Sequence, residues 1–389
     1  MFEFGDPIPL SLYVHLPWCV SKCPYCDFNS YEAGGPLPEQ AYVDALVRDL
    51  AFAGEGIAGR RIVSVFFGGG TPSLFSGEAV ARVLDAVSTR AALSEDAEIT
   101  LEANPGTFDT GRFAAYRRAG VNRLSLGIQS LDDGRLRAIG RIHDGDQARA
   151  ALGGAREAGF DNINVDLMYG LPGQGAEQAL ADLEQVLGYG PEHVSHYQMT
   201  LEPQTRFYHY PPPALPDDET LWDVQQQCQT LLAGRGYEHY EVSAYARAGR
   251  RCRHNLNYWR FGDYLGLGAG AHSKLTDAPR RRIERVWRVK QPGAYMREAG
   301  SAPGVAGRQA LTPGDAAFEF LLNGLRLVEG FDEALFQART GLDPRVVASA
   351  METARAKGLL QTEGGRIRAS ASGYRYLNDL LQLFLPEPA

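Results

Sequence analysis

Residues 11–29 read SLYVHLPWCVSKCPYCDFN. Three cysteines, Cys19, Cys23 and Cys26, follow one another as C-x3-C-x2-C, and Phe28 stands where a fourth would continue the series. Thiolates are soft ligands, so three in one loop point to an iron–sulfur cluster or to zinc. A structural zinc site takes four ligands, commonly from two C-x2-C pairs, and no second pair is present. His15 is close by, but on a predicted strand rather than in the loop. Three cysteines on a [4Fe-4S] cluster leave one iron without a protein ligand, free for a substrate or cofactor. Disulfides are the weaker reading, because the five cysteines are odd in number and three are crowded into one segment.

The stretch leading into the loop, 11–15, is the first of six short apolar runs. The others are 62–67, 98–103, 123–127, 162–166 and 194–200. Between them lie amphipathic stretches such as EQAYVDALVRDLAFA and GEAVARVLDAVSTRAAL, with apolar residues at helical spacing. Strand and helix alternating in this way predict an α/β fold of parallel strands joined by right-handed crossovers. Both an open (β/α)6 barrel and a doubly wound sheet fit.

In such barrels the site gathers at the carboxyl ends of the strands, and the distinctive residues fall there. FFGGGTPS follows the second run; its glycines let backbone approach a ligand without interference from Cβ, although a glycine triplet alone is more often a tight turn. It lacks the G-K-[ST] ending of a phosphate loop. Glu102 ends the third run, Gln129 follows the fourth, Arg141 lies in IGRIHD and Asp166 ends the fifth. Each alone reads as a cap or a solvated charge. Together on one rim they suit a zwitterionic ligand carrying a ribose.

Bulk properties narrow the class. At 389 residues the chain has room for two or three domains. A net charge of −8 gives no electrostatic case for nucleic-acid binding. No apolar run approaches the ~18 residues of a membrane span, and no basic n-region precedes an apolar h-region at the N-terminus. A soluble, cytoplasmic protein is expected. Beyond residue 200 the rhythm breaks at LEPQTRFYHYPPPALPDDE, whose prolines fit neither a helix nor a central strand. The predicted domains are 1–210, a mixed segment 211–310, and 311–389. In the last, helices followed by a hairpin with a Gly-Gly turn in GLLQTEGGRIRAS predict a small winged-helix-like module; the acidity of the chain makes a docking role at least as fitting as DNA binding.

The cysteine spacing, with Tyr25 just before Cys26, resembles the signature of the radical S-adenosylmethionine superfamily. GGTP after the second strand resembles that family's motif for the cofactor's amino group, and EFLLNGLRLVEGF at 319–331 resembles the C-terminal domain of its oxygen-independent coproporphyrinogen oxidase branch. The resemblance implies a partial (β/α)6 barrel and a [4Fe-4S] cluster on Cys19, Cys23 and Cys26. It also implies S-adenosylmethionine bound by Tyr13, Tyr25, Gly69, Gly70, Thr71, Glu102, Gln129, Arg141 and Asp166. Thr200 sits where that branch has a smaller residue and is left out. The oxidases proper continue to a fourth cysteine and carry a longer extension ahead of the loop. This chain has Phe28, and only eighteen residues precede Cys19.

H-N-x-x-Y-W at residues 254–259 resembles the motif of the HemW-type haem chaperones, which bind haem and deliver it to acceptors. It implies His254 as an axial ligand, with Tyr258 and Trp259 packed on the macrocycle. The bland reading is that His254 hydrogen-bonds a neighbouring segment and the aromatics are core. Cys252 is a weaker candidate thiolate, and Cys228 is expected to be merely buried. The resemblance further implies haem enzymes of respiration as acceptors, with peripheral membrane contact and a homodimer as additional expectations. PRRRIERVWRVK at 279–290 holds six basic residues and one acid. It reads either as a solvated face or as a patch for haem propionates, acidic lipid headgroups or an acceptor. The rival functions are oxidative decarboxylation of coproporphyrinogen III and, less favoured, a zinc-bound regulatory module.

Overall fold

The six apolar runs form six strands: β1 (Leu10–Leu16), β2 (Arg61–Gly69), β3 (Ala92–Ala103), β4 (Arg123–Gln129), β5 (Ile163–Tyr169) and β6 (His193–Gln198). The computed structural model describes residues 2–386. The six strands pair parallel in chain order, as strand–helix–strand crossovers require. On β1, Leu10, Leu12, Val14 and Leu16 are buried against the helices. The alternate residues, Ser11, Tyr13 and His15, point to the opposite, concave side.

The crossovers are carried by α1 (Glu39–Ala53), α2 (Gly77–Ser88), α3 (Thr110–Ala119), α4 (Gly145–Glu157) and α5 (Ala176–Gly188). Their starts are written in the sequence. Ser76 accepts from the Ala79 amide, Asp109 from that of Arg112, and Asp144 forms a capping box with Gln147. The helical stretch 77–93 stops at Ser88, and its last two residues begin β3 instead. Ala92 and Leu93 pair with Arg61 and Ile62, so sheet pairing overrides the local helical period.

The segment 211–310 extends the same sheet at both edges. After α6 (Asp218–Gly234), the hairpin β7 (Glu238–Glu241) and β8 (Ala244–Ala246) pairs antiparallel to β6. Helix α7 (Arg253–Trp259) then leads to β9 (Asp263–Leu267), which lies parallel to β1 with Leu10 opposite Asp263. The antiparallel strands β10 (His272–Asp277), β11 (Arg282–Arg288) and β12 (Val305–Ala310) complete that edge. The order is β12-β11-β10-β9-β1-β2-β3-β4-β5-β6-β8-β7.

The C-terminal part has a core of its own, centred on Phe320, Phe331 and Phe336 and joined by Phe2 from the other end of the chain. It comprises α8 (Pro313–Gly324), α9 (Glu333–Thr340), α10 (Ala348–Ala356) and a hairpin of β13 (Leu360–Glu363) with β14 (Arg366–Ala369), then two short helices. Gly364 and Gly365 have φ of 58° and 78°, the pair of left-handed residues that a two-residue hairpin turn demands. Among the described residues, no helix is long and apolar enough to cross a membrane.

Candidate functional site

The cysteine loop leaves β1 and is pinched at its base. The Tyr31 amide donates to Pro17 O and that of Ala33 to Cys19 O, while Gly70 and Thr71 donate to Leu16 O and Trp18 O. This brings the end of β2 against the loop so closely that a Cβ on Gly70 would lie 2.5 Å from Trp18 O, and one on Gly69 2.6 Å from the His15 ring. The glycines at these two positions are thus required first by the protein's own packing. His15 is held out of the loop, its Nε2 2.9 Å from Asn29 O. The thiols of Cys19, Cys23 and Cys26 are free, and all three line one cavity of about 150 Å3. Burial pushes the Cys19 and Cys26 thiols up.

The same cavity is lined by Tyr25, Gly69, Gly70, Thr71, Glu102 and Gln129, and by Arg141 and Asp166. Nine of the polar and glycine positions singled out in the sequence are Tyr13 and these eight; Tyr13 is set back from the wall, its ring stacked on Phe66 and its hydroxyl 3.1 Å from His15 Nδ1. The Gly69 amide donates to Glu102 Oε2 at 3.2 Å. Burial, reinforced by the nearby Asp166 carboxylate, raises Glu102 to about 8. Asp166 is also raised by burial, but Asn164, Ser195 and Ser125 hydrogen-bond it and Arg123 opposes the shift. Glu102 is therefore largely protonated at neutral pH.

Arg141 is fixed by Nη2 donating to Gly127 O at 2.6 Å, with Nη1 3.8 Å from Cys23 Sγ. Its Nε is buried and, among the described residues, has no hydrogen-bond partner. Gln129 adopts φ of 68°, at a register break in the β4–β5 pairing, and its Oε1 accepts from Tyr197 at 2.6 Å. A non-glycine residue in this region is backbone strain held in place by its surroundings, a usual companion of a binding rim. Sequence reasoning missed Tyr197, Ser125, Asn104 and Ser30 on the cavity wall. Ser125 was findable, since Arg123, Ser125, Gly127 and Gln129 alternate along one face of β4.

Below the cavity the concave side stays polar. Asn164 donates to Ser125 and Asp166, and its Oδ1 accepts from His193 Nδ1 at 2.6 Å, while His193 Nε2 meets the Tyr240 hydroxyl at 2.7 Å. Helix α7 closes this floor. Glu98 Oε1 accepts from the His254 amide at 3.1 Å and from Cys252 Sγ at 3.5 Å. The His254 ring lies 5.0 Å from that of Phe66 and 6.4 Å from that of Tyr13, with Nδ1 3.1 Å from Ser64 Oγ. Ser64 gives its own proton to Ser11 Oγ at 2.8 Å. His254 Nδ1 therefore donates to Ser64, and the lone pair resides on Nε2. Burial, with a smaller effect of Arg123, lowers His254 to about 3, so the imidazole is neutral. The structure thus places His254 at the barrel floor, apart from the cysteine cavity. Tyr258 and Trp259 are not stacked beside it: Tyr258 packs on Trp259 and Tyr264, and Arg326 covers the Trp259 ring at 4.3 Å.

The chain matches the profile of the radical SAM superfamily over residues 13–186 and that of the HemN C-terminal domain over residues 311–376. It is 46% identical to the haem chaperone HemW of Escherichia coli K12, over 97% of this chain and 99% of that one. The chain belongs to the HemW family. The haem chaperone HemW of Haemophilus influenzae is 44% identical over 97% and 98% of the two chains. A mouse mitochondrial protein, radical S-adenosyl methionine domain-containing protein 1, is 37% identical over 97% and 87%. The solved coproporphyrinogen III oxidase HemN of E. coli has the same fold, with a TM-score of 0.82 over 97% of this chain and 90% of that one at 24% identity. Superfamily membership brings with it a [4Fe-4S] cluster and S-adenosylmethionine. The donor set fits both: three soft thiols at one wall, and carboxyls opposite a guanidinium with an unmatched buried N–H.

Proposed function

We propose that this chain is a haem chaperone that binds haem and passes it to acceptor haem proteins, carrying a [4Fe-4S] cluster and S-adenosylmethionine. The observation that carries the reading is kinship with HemW chaperones from end to end of the chain, joined to a cysteine loop that stops at three thiols. In this reading Cys19, Cys23 and Cys26 hold the cluster. Its chemistry, when bound, is one-electron transfer to a ligand at the iron the protein leaves open.

The cofactor's binding set is Tyr13, Tyr25, Gly69, Gly70, Thr71, Glu102, Gln129, Arg141 and Asp166. Arg141, anchored on Gly127 O, offers its charge to a carboxylate. Glu102, once it gives up its proton, and Asp166 offer carboxyl oxygens to an ammonium and to hydroxyls. Gln129, held by Tyr197, presents its amide N–H groups. Tyr13 supports the wall through its packing on Phe66.

His254, Tyr258 and Trp259 form the proposed haem motif. A neutral imidazole with its lone pair on Nε2 is the form that ligates iron. At 9% exposure, His254 meets a macrocycle only when α7 moves off the barrel floor. Haem enzymes of respiration are the proposed acceptors, with contact at the membrane surface and a homodimer as parts of the same proposal. The test is a haem titration of anaerobically prepared wild type and His254→Ala, read by the Soret band. Retention of full, spectrally unchanged haem binding by His254→Ala removes the motif from the account.

A further inference from the structure

The motif EFLLNGLRLVEGF at 319–331 runs from the second half of α8 into the turn before α9, and that turn lies against the haem motif. One carboxylate in it grips both ends of α7. Glu329 Oε2 accepts from Arg251, just ahead of the helix, and Oε1 from Arg260 at its C-terminal cap, each at 3.0 Å. Partial burial pushes the Glu329 carboxyl up, but the hydrogen bonds from the two arginines outweigh it and hold the group below its ordinary range. Both contacts are therefore charge-assisted at neutral pH. Arg326, in the same turn, covers the Trp259 ring and donates to Glu241 on β7 at 2.9 Å.

The turn itself is fixed in the C-terminal domain. Arg366 on β14 donates to Glu329 O at 2.9 Å and to Gly330 O at 2.8 Å, and Phe331 and Ile367 exchange both of their backbone hydrogen bonds. Leu325, Leu327 and Phe331 are buried beneath it, and the Val328 amide donates to Tyr240 O at 3.1 Å. Helix α7 packs on β1, β2 and β9 on the floor side and on α8 on the other, so it leaves the floor either with this turn or past it. Leaving with it breaks the turn's buried contacts. Leaving past it parts Arg251 and Arg260 from Glu329, and these arginines are already 28% and 39% exposed. Ion pairs of that exposure are weak, and their members return to water, so the second route costs less. A helix of seven residues does not persist on its own, so α7 stays ordered only while its neighbours hold it.

We propose that the turn 325–331 is a latch on the haem motif: Glu329 keeps α7 on the barrel floor, and His254 becomes reachable when Arg251 and Arg260 part from it. The proposal rests on the haem-chaperone reading and names how the site of that reading is opened. It gives the C-terminal domain a part in controlling haem uptake. Arg251 has a second acid within reach, Glu238 at 3.3 Å, so Arg260 is the arginine of the pair that leans on Glu329 most.

The test compares full-length, cluster-bearing wild type with Glu329→Gln and Arg260→Gln through two readouts. Without haem, hydrogen exchange followed by mass spectrometry compares residues 252–262 with residues 123–129 of β4, a core strand that reports on global opening. With haem, stopped flow at the Soret band gives the saturating rate of association. Each variant should exchange faster at 252–262 and no faster at 123–129, and the saturating rate should rise roughly fivefold, equivalent to about 1 kcal/mol. Arg260→Gln breaks the same contact from the α7 side and decides the matter if Glu329→Gln misfolds. Unchanged exchange at 252–262 in both variants overturns the latch, whatever haem does. Faster exchange with an unchanged haem rate also overturns it, because α7 and the turn would then move together. Wild type that binds no haem, with exchange at 252–262 still faster in the variants, overturns the chaperone reading while upholding the latch.

Discussion

Glu102 is the cavity group whose charge is most sensitive to a ligand. Its carboxyl is raised to about 8, chiefly by burial and then by Asp166, while the Gly69 amide holds its Oε2 at 3.2 Å. At pH 7 such a group is about nine-tenths protonated. A cationic ligand that needs the carboxylate must first drive off that proton, which costs about 1.4 kcal/mol at pH 7 and little above pH 8.5. S-adenosylmethionine binding should therefore tighten roughly tenfold from pH 7 to pH 8.5 and release protons. The cofactor's own amino group also titrates here, so the decisive quantity is the difference between wild type and Glu102→Gln. Calorimetry at pH 7 in buffers of differing ionisation enthalpy should show wild type releasing about 0.9 proton more than the variant. Equal proton release would refute the reasoning, because Glu102 would then either be ionised already or stay neutral under the ligand.

Acid should weaken the fold. Burial lowers His143 and His196 to about 4 and His254 to about 3, so between pH 6.5 and 4 the unfolded chain takes up protons that the folded chain refuses. Each group contributes stability that is present above pH 6.5 and lost as pH falls, at up to about 1.4 kcal/mol per pH unit. Burial lowers His15, His193, His239 and His272 as well, while Glu102, Asp166 and Asp182, raised by burial, act in the opposite sense; seven histidines against three carboxyls should lower the urea midpoint from pH 7 to pH 5, and an unchanged midpoint would contradict the assignment. Lys274 is buried with Nζ 3.1 Å from Asp263 and 3.0 Å from Phe261 O. Lys274→Met should cost about 3 kcal/mol in denaturant unfolding, and a loss below about 1 kcal/mol would mean that Arg60 alone satisfies Asp263. Haem uptake gated by α7 should show an observed rate that saturates with haem concentration in stopped flow, whereas a rate linear to high concentration would place His254 in an already open site.

Local signals carried the barrel and most of its rim. The six parallel strands were readable because each is a short apolar run between amphipathic helices, and the helix starts were readable through Ser76, Asp109 and Asp144. The positions from Tyr25 to Asp166 converge because strand ends converge in such a sheet, with Tyr13 one layer back. What stayed hidden depends on distant pairing. Nothing near Asp263 announces that β9 lies beside β1, or that β7 to β12 lengthen the same sheet. The polar floor was equally hidden, since Glu98, Cys252 and His254 meet only after two remote segments fold together. That contact sets His254 inside the barrel floor, hydrogen-bonded to a neighbouring segment as the bland reading of HNLNYW has it. The basic run 279–290 read either as a solvated face or as a patch, yet β11 turns its arginines to opposite faces. Arg282 meets Asp277 and Glu284 on one side, while Arg285 meets Glu319 and the Tyr264 hydroxyl on the other.

The central claim is haem delivery. It is tested most directly by loading the cluster-bearing protein with haem, mixing it with an apo form of a respiratory haem protein, and following the acceptor's own spectrum. In parallel, the reduced protein is given S-adenosylmethionine and coproporphyrinogen III. The account predicts that the acceptor gains haem from wild type and that no protoporphyrinogen IX forms. Formation of protoporphyrinogen IX with no haem reaching the acceptor would contradict it.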